Sequence, residues 1–323
     1  MAVRASAAIA LLGVVVAACG ATPATSSQGL ASPLMASAAV TGSPVAGASA
    51  SASAAASAEP SSAPATPSAA ATAGPGDLAA ELVTPGHLTY CANLRPGPMS
   101  FADATGKPAG ADIDIATEIA RRAGLVADIR ETPFEQLIDA VAGGQCDISI
   151  SSQHITSSRL ARIDMLPYAQ GVQHVVVRKG NPSRILRLSD LCGRILAVQT
   201  GSTHVDLVLG QGDHAGAGID TDCASAGKPN VDLRQFTDDG DAIAALAAGT
   251  ADAYIGSDFA ALDRPADFQL AVALPPARNG IGMPKGHPAI KAAVEAAFQA
   301  MVADGTYLTI LKHWGVAGLS IAR

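Results

Sequence analysis

The chain runs to 323 residues with a formal net charge of −7, and only 3% of its residues are aromatic. It has no basic stripe interleaved with aromatics, which argues against a nucleic-acid surface, and so few rings leave little for the stacking platforms of an extended carbohydrate cleft. A small polar ligand suits this balance better than a polymer.

Met1-Ala2-Val3-Arg4 carries one positive charge and precedes an apolar run from Ala5 to Ala18. The run is shorter than the about 20 residues that a spanning helix needs, and it ends in Val16-Ala17-Ala18-Cys19. This segment resembles a lipoprotein signal with its lipobox. The resemblance implies loss of residues 1–18 and a diacylglycerol on the Cys19 thiol, which would anchor the chain at the extracytoplasmic face of the cell membrane. An ordinary signal peptide with an incidental cysteine is the alternative. From Gly20 to Gly76 the chain is almost wholly Ala, Ser, Thr, Pro and Gly, with Glu59 its single charge. Without apolar area to offset its ordering entropy, the span 19–76 reads as a disordered tether. Its prolines at 23, 33, 44, 60, 64, 67 and 75 interrupt any alanine-driven helix.

Strand and helix signals alternate from residue 77 onward. Leu88–Ala92 reads as a strand, and 112–123 as a helix in which Ile115, Ile119 and Ala123 recur at four-residue spacing before Gly124 stops it. A strand near Val126–Ile129 follows, then a helix with Phe134, Leu137, Ile138 and Val141 on one face. In Gly144–Tyr168, Ile148 and Ile150 alternate with Ser149 and Ser151 as in a strand, and the polar loop Ser152-Gln153-His154-Ile155-Thr156 leads to Arg159. A guanidinium fork at a strand's carboxyl end is suited to a small carboxylate. This βαβαβ order implies a parallel sheet with helices on both faces. A second unit takes in the strands Arg194–Gln199 and Val231–Phe236, a helix at 241–248 stopped by Gly249, and the strand Ala253–Ile255. Helices at 290–303 and 307–313 close the chain, and the extended stretch 172–178 joins the units. The fold class is therefore α/β with two lobes facing a cleft.

Four cysteines fall in the folded part. Cys192 precedes a strand and Cys223 sits in a Gly/Asp-rich loop just before another, so a Cys192–Cys223 bridge is expected in an exported protein. Cys91 and Cys146 lie in or beside candidate parallel strands, where buried free thiols are common, and their pairing stays open. The spacings lack the C-x-x-C pairs or His clusters of a metal site, and no cofactor is indicated.

Seven segments in order carry a resemblance across residues 77–323: PMSFADATGKPAGADIDIATEIARRAG, FEQLIDAVAGGQCDISIS, Ile155-Thr156-x-x-Arg159, LPYAQGVQHVVVRKGNP, DLCGRILAVQTGST, DAIAALAAGTADAYIG and the stretch from Asn279 to Val316. Together they resemble the family 3 solute-binding proteins of polar amino acid ABC transporters. The resemblance implies a type II periplasmic-binding-protein-like fold, with lobe 1 at residues 77–176 plus 279–323 and lobe 2 at 177–278. It implies that Arg159 grips a ligand α-carboxylate, that Gly201, Ser202 and Thr203 add donors from the second lobe, that Ser152 contacts the amino group, and that Phe134 walls the pocket.

Departures from the family pattern fall on specificity positions. His154 stands where Ser or Thr is usual, and a contact through it would make affinity vary between about pH 5 and 8. Pro96 replaces an aromatic lid in many members, and Asn93 replaces an acid that some relatives aim at cationic side chains. These changes weigh against lysine, arginine or histidine as ligand. The family's amino-group aspartate would fall at Ser257, with Asp258 next to it, so Asp258 is the expected partner across a one-residue bulge. The resemblance implies a non-catalytic, lipid-anchored monomeric receptor that hands a non-cationic polar amino acid to ABC permease and ATPase subunits. A ligand sensor for envelope signalling and an exported cyclohexadienyl-dehydratase-like enzyme are the alternatives, His154 being the one obvious acid for the latter.

Overall fold

The structure, a computed structural model, describes residues 75–95 and 97–322. The expected signal segment, Cys19, the tether as far as residue 74, and Pro96 lie outside the described residues. The first helix, α1 (Pro75–Glu81), begins two residues inside the span expected as tether. It is followed by β1 (His87–Ala92), a short hairpin of β2 (Phe101–Ala102) and β3 (Pro108–Ala109), α2 (Ala111–Arg122) and β4 (Val126–Glu131). Next come α3 (Leu137–Ala142), β5 (Ile148–Ser149), α4 (Ser157–Arg162), β6 (Ile163–Gly171) and β7 (His174–Arg178). The middle of the chain forms β8 (Ile195–Gln199), α5 (Thr203–Leu209), α6 (Ile219–Ser225), β9 (Asp232–Phe236), α7 (Asp239–Ala248) and β10 (Ala253–Ile255). It ends with α8 (Phe259–Asp263), β11 (Phe268–Ala273), β12 (Ala277–Pro284), α9 (Pro288–Ala303) and α10 (Thr306–His313).

These strands make two five-stranded sheets, ordered β4-β1-β5-β12-β6 and β11-β7-β10-β8-β9. In the first, β1 pairs in parallel with β4 and β5, and β12 returns antiparallel against β5 and β6. The second repeats the plan, with β8 parallel to β9 and β10 while β7 runs antiparallel to β10 and β11. Alternation along the strands explains why helices cover both faces. Leu88, Tyr90 and Ala92 of β1 pack with Ile115 and Ile119 of α2 and Leu311 of α10, whereas Cys91 faces Phe134, Leu137 and Val141. In β8, Leu196 and Val198 join Val208 and Ile219, and Ala197 turns to Ala242 and Leu246 of α7. Burying such a Leu, Ile or Val is worth about 1.5–3 kcal/mol each.

The chain passes from the first sheet to the second at 172–173, between β6 and β7, and returns at 274–276, between β11 and β12. Residues 174–176 therefore pair within the second sheet, and Ala277 and Arg278 within the first, a few residues from the changeover points expected at 176/177 and 278/279. The stretch read as an extended connector is largely the buried strand β7, whose Val175, Val176 and Val177 are enclosed. The antiparallel strands β6, β11 and β12 had no clear alternation to announce them.

Both pairs of cysteines are bridged. Cys192 and Cys223 lie 5.5 Å apart at Cα, with Cys223 on α6 and not in the loop expected there. Cys91 and Cys146 are also joined, at a Cα separation of 5.9 Å, because the parallel pairing of β1 with β5 brings the end of one strand beside the entry to the other. The bridge spanning 31 residues should contribute roughly 4 kcal/mol by restricting the unfolded chain. Replacing Cys192 and Cys223 together by serine should lower stability by about 2–4 kcal/mol in urea unfolding; an unchanged midpoint would mean that the bridge adds nothing in solution.

Candidate ligand-binding site

The carboxyl ends of the parallel strands in both sheets deliver the polar groups. Asn93 and Arg95 follow β1, Phe134 follows β4, and Ser152 and His154 follow β5. From the second sheet, Ser202 and Thr203 follow β8, Asp239 follows β9, and Gly256 to Asp258 follow β10. Open α/β sheets bind ligands at this edge because the crevice there is lined by loops free to carry chemistry. Arg95, Phe134, Ser152, His154, Arg159, Gln173, Gln199, Ser202, Thr203, His204, Asp239 and Gly256 enclose a space of about 20 Å³. That is room for about one water, so an amino acid can enter only if the sheets part. Openings of about 620 and 210 Å³ adjoin it, and His154 and Gln173 line all three spaces.

Arg159 sits in the first turn-and-a-half of α4, whose amino end is capped by Thr156 Oγ1 accepting from the Arg159 N–H at 3.2 Å. Its side chain is 9% exposed and its Cζ lies 5.7 Å from the centre of the Phe134 ring. The guanidinium donates from Nη1 to the His154 carbonyl at 2.7 Å and from Nη2 to the Gly201 carbonyl at 3.1 Å, the second bond crossing between lobes. Burial pulls its pKa down to about 10, which leaves it charged at neutral pH. Among the described residues no carboxylate lies within 4.0 Å of it.

Further bonds join the lobes, among them one from the Ser157 N–H to the Asp213 carboxylate at 3.0 Å and two at the polar space. His154 Nδ1 lies 2.8 Å from Thr203 Oγ1, and Gln199 Nε2 donates to Asn93 Oδ1 at 2.9 Å. Asn93 is thus held against the other lobe by Gln199, which lines the polar space, whereas Asn93 itself, expected to meet the ligand, lines neither that space nor the two adjoining openings. The Gly201 backbone, at φ 73°, packs so closely on Glu135 that a Cβ there would fall 2.7 Å from the Glu135 Cα. Ser202 Oγ is buried and has no hydrogen-bond partner among the described residues. Ser152, at φ 48°, turns its hydroxyl to Asp112 Oδ2 at 3.2 Å, while its N–H donates to Tyr168 Oη at 3.0 Å. Tyr168 in turn donates to Asp112 Oδ1 at 2.6 Å, so a buried acid holds the loop in its left-handed turn.

Burial, with help from Arg159 and Arg95, depresses His154 from 6.5 to about 4, and His204 is driven well below its ordinary value for the same leading reason. The titration of His154 therefore falls below the pH 5–8 range that its sequence position led us to expect. Asp258 lines the 210 Å³ opening and not the space around Arg159. Its oxygens are taken by the His174 N–H at 2.8 Å and His174 Nδ1 at 2.7 Å. Ser257 lines the same opening, its N–H donating to Tyr254 Oη at 2.7 Å.

The sequence reading did not name Arg95, Gln173, Gln199, His204, Asp239 or Gly256 as lining residues, and two of these, Asp239 and Arg95, are charged. Asp239, 1% exposed, accepts from Tyr254 Oη at Oδ1, 2.6 Å away, while its Oδ2 is buried with no partner among the described residues. Burial pushes its carboxyl up, and Arg95 and the Tyr254 bond pull it back. In sequence it stands at the start of a helix, where an acid passes for an answer to the helix dipole. Arg95 was overlooked beside Asn93, although a basic residue just beyond a parallel strand is the available signal. Among the described residues no group of His, Cys, Asp and Glu could hold a metal ion, and no helix is long and apolar enough to cross a membrane.

Two α/β lobes joined by paired crossings, with a buried cation and polar loops between them, define a type II solute-binding protein. Residues 88–317 match the bacterial extracellular solute-binding proteins, family 3, and the chain belongs to that family. It is similar to the probable ABC transporter arginine-binding protein ArtJ of Chlamydia trachomatis serovar D, with 29% identity over 69% of this chain and 84% of the relative. The L-cystine-binding protein TcyJ of Escherichia coli K12 is 25% identical over 67% of this chain and 78% of its own length. Among solved structures, an ancestral arginine-binding protein bound to glutamine aligns with a TM-score of 0.62 at 29% identity, covering 72% of this chain and 98% of that one.

The depressed histidine sets a sign. Above about 6.5 His154 is neutral both folded and unfolded; as pH falls from 6.5 to about 4 the unfolded chain takes up a proton that the folded one refuses, so stability drops across that window. Melting temperatures between pH 4 and 7.5 should show this fall, and His154→Gln should flatten it; an identical slope in the variant would remove His154 as a cause. Gly201→Ala should hold the lobes apart, given its clash with Glu135, and give a larger radius of gyration by small-angle X-ray scattering. An unchanged radius would mean that this contact does not limit closure.

Proposed function

We propose that the chain is the lipid-anchored receptor of an ABC importer, which captures a non-cationic polar amino acid at the extracytoplasmic face of the membrane and hands it to permease and ATPase subunits. The observation that carries this reading is Arg159: a buried guanidinium between two lobes, satisfied by carbonyls and by no carboxylate among the described residues. A ligand α-carboxylate would take over both of its bonds, with Phe134 beneath it and the unpartnered Ser202 hydroxyl and Thr203 alongside. Family membership and the amino-acid-binding relatives support the class of solute. The lobes, read as residues 77–176 plus 279–323 and 177–278, would close about the segments that join them on binding.

The anchor rests on Val16-Ala17-Ala18-Cys19 and the Ala/Ser/Thr/Pro-rich span after it, which would let the receptor reach its transporter. A dehydratase would need a proton donor beside the leaving hydroxyl; His154, the residue expected to supply it, is held uncharged down to about pH 4, and Asp239 is the other lining group that could carry a proton, so turnover of prephenate or arogenate is the outcome that would favour the enzyme.

Calorimetric titration with the twenty amino acids should find at least one ligand, and Arg159→Ala should weaken it by roughly 10- to 100-fold or more. Full affinity in the variant would remove the carboxylate clamp and, with it, this reading.

A further inference from the structure

Arg95 is the feature of the site that the carboxylate clamp leaves unused. Its Cζ lies 5.7 Å from the centre of the same Phe134 ring that supports Arg159, and it lines both the small polar space and the adjoining 210 Å³ opening. The loop that carries it is fixed by the Arg95 N–H donating to the Ser100 carbonyl at 2.9 Å. Among the described residues the guanidinium itself makes one hydrogen bond, Nη2 to the Ser151 carbonyl at 3.5 Å, the outer limit for such a contact. Among the described residues no carboxylate lies within 4.0 Å of it. Asp239 lines the same space, and its Oδ2 is buried without a partner.

We propose that the ligand is an acidic, dicarboxylic amino acid whose α-carboxylate is held by Arg159, whose ammonium is held by Asp239, and whose distal carboxylate is held by Arg95. This rests on the receptor reading above and specifies its substrate. Charge decides between candidates. The lining offers two guanidiniums and one carboxylate, Asp112 behind Arg95 being committed to Tyr168, Ser100 and Ser152, and both histidines stay neutral, so a ligand with two carboxylates and one ammonium pairs every charge in the lining. A neutral zwitterion would leave Arg95 unpaired as the lobes shut, and an arginine ligand would bring a third guanidinium beside two, each a desolvation cost without return. An arriving ammonium also favours the ionised form of Asp239. The specificity thus departs from the arginine and cystine named for the relatives.

The test is calorimetric titration of the purified chain with L-glutamate, L-aspartate, L-glutamine, L-asparagine, L-arginine, L-histidine and L-cystine, repeated on Arg95→Gln, Arg95→Lys and Arg159→Ala, each checked for an intact melting transition. Wild type should bind glutamate or aspartate roughly 10- to 100-fold tighter than the matching amide. Arg95→Gln should erase or invert that ratio, and Arg95→Lys should keep part of it, since lysine retains the charge without the planar fork. Tighter binding of an amide, a cationic amino acid or cystine by wild type, or a ratio unmoved by Arg95→Gln, overturns the proposal; loss of that binding in Arg159→Ala would still uphold the receptor. Failure of every amino acid to bind overturns both.

Discussion

A positive charge withdrawn from water with no carboxylate in contact among the described residues is what the cleft is organised around. Moving an ion out of solvent costs several kcal/mol, and carbonyl oxygens return only part of that. Arg159 accepts the bargain because its two acceptors come from opposite lobes: the His154 carbonyl on its own side and the Gly201 carbonyl across the gap. The guanidinium therefore bridges the lobes, and on the proposed reading it would bind the ligand as well. Whatever anion displaces those carbonyls inherits a preformed fork, a ring to lie against and a second lobe already drawn close.

The support for that fork is built in layers. Thr156 caps α4 and fixes the backbone from which Arg159 projects. One step back, the buried Asp112 holds Tyr168, Ser100 and Ser152, so the loop after β5 keeps a turn that a non-glycine residue would otherwise avoid. The Cys91–Cys146 bridge ties β1 to the entry of β5 beneath these loops, so the strands that present Asn93, Arg95 and Ser152 move as one piece. The second lobe answers with Asp239, held from behind by Tyr254, a strand tyrosine reaching a helix start.

Much of this was legible from local pattern. Ile115 and Ile119 at helical spacing gave α2, the Ile–Ser alternation gave β5, and Gly249 ended α7 with a left-handed cap. Arg159 could be named because its loop follows a strand and its spacing from Ile155 matches the family. The antiparallel strands that complete each sheet were hidden, since β7 is buried on both faces and reads as a plain apolar run. Cys223 looked like a loop residue because the glycines and aspartates around it hide a short helix.

Sequence by itself determined the α/β class, the succession of the principal helices and parallel strands, the bridge at Cys192 and Cys223, and the arginine at the centre of the cleft. Each of these depends on residues near one another in the chain or on an ordered set of motifs. Only the tertiary structure decided that Cys91 meets Cys146, that Asp258 is occupied by His174 while Asp239 faces the polar space, and that Arg95 shares Phe134 with Arg159. Those outcomes turn on which side chains from distant strands converge at one edge of two sheets and on how far burial shifts their protons, quantities that no local spacing encodes.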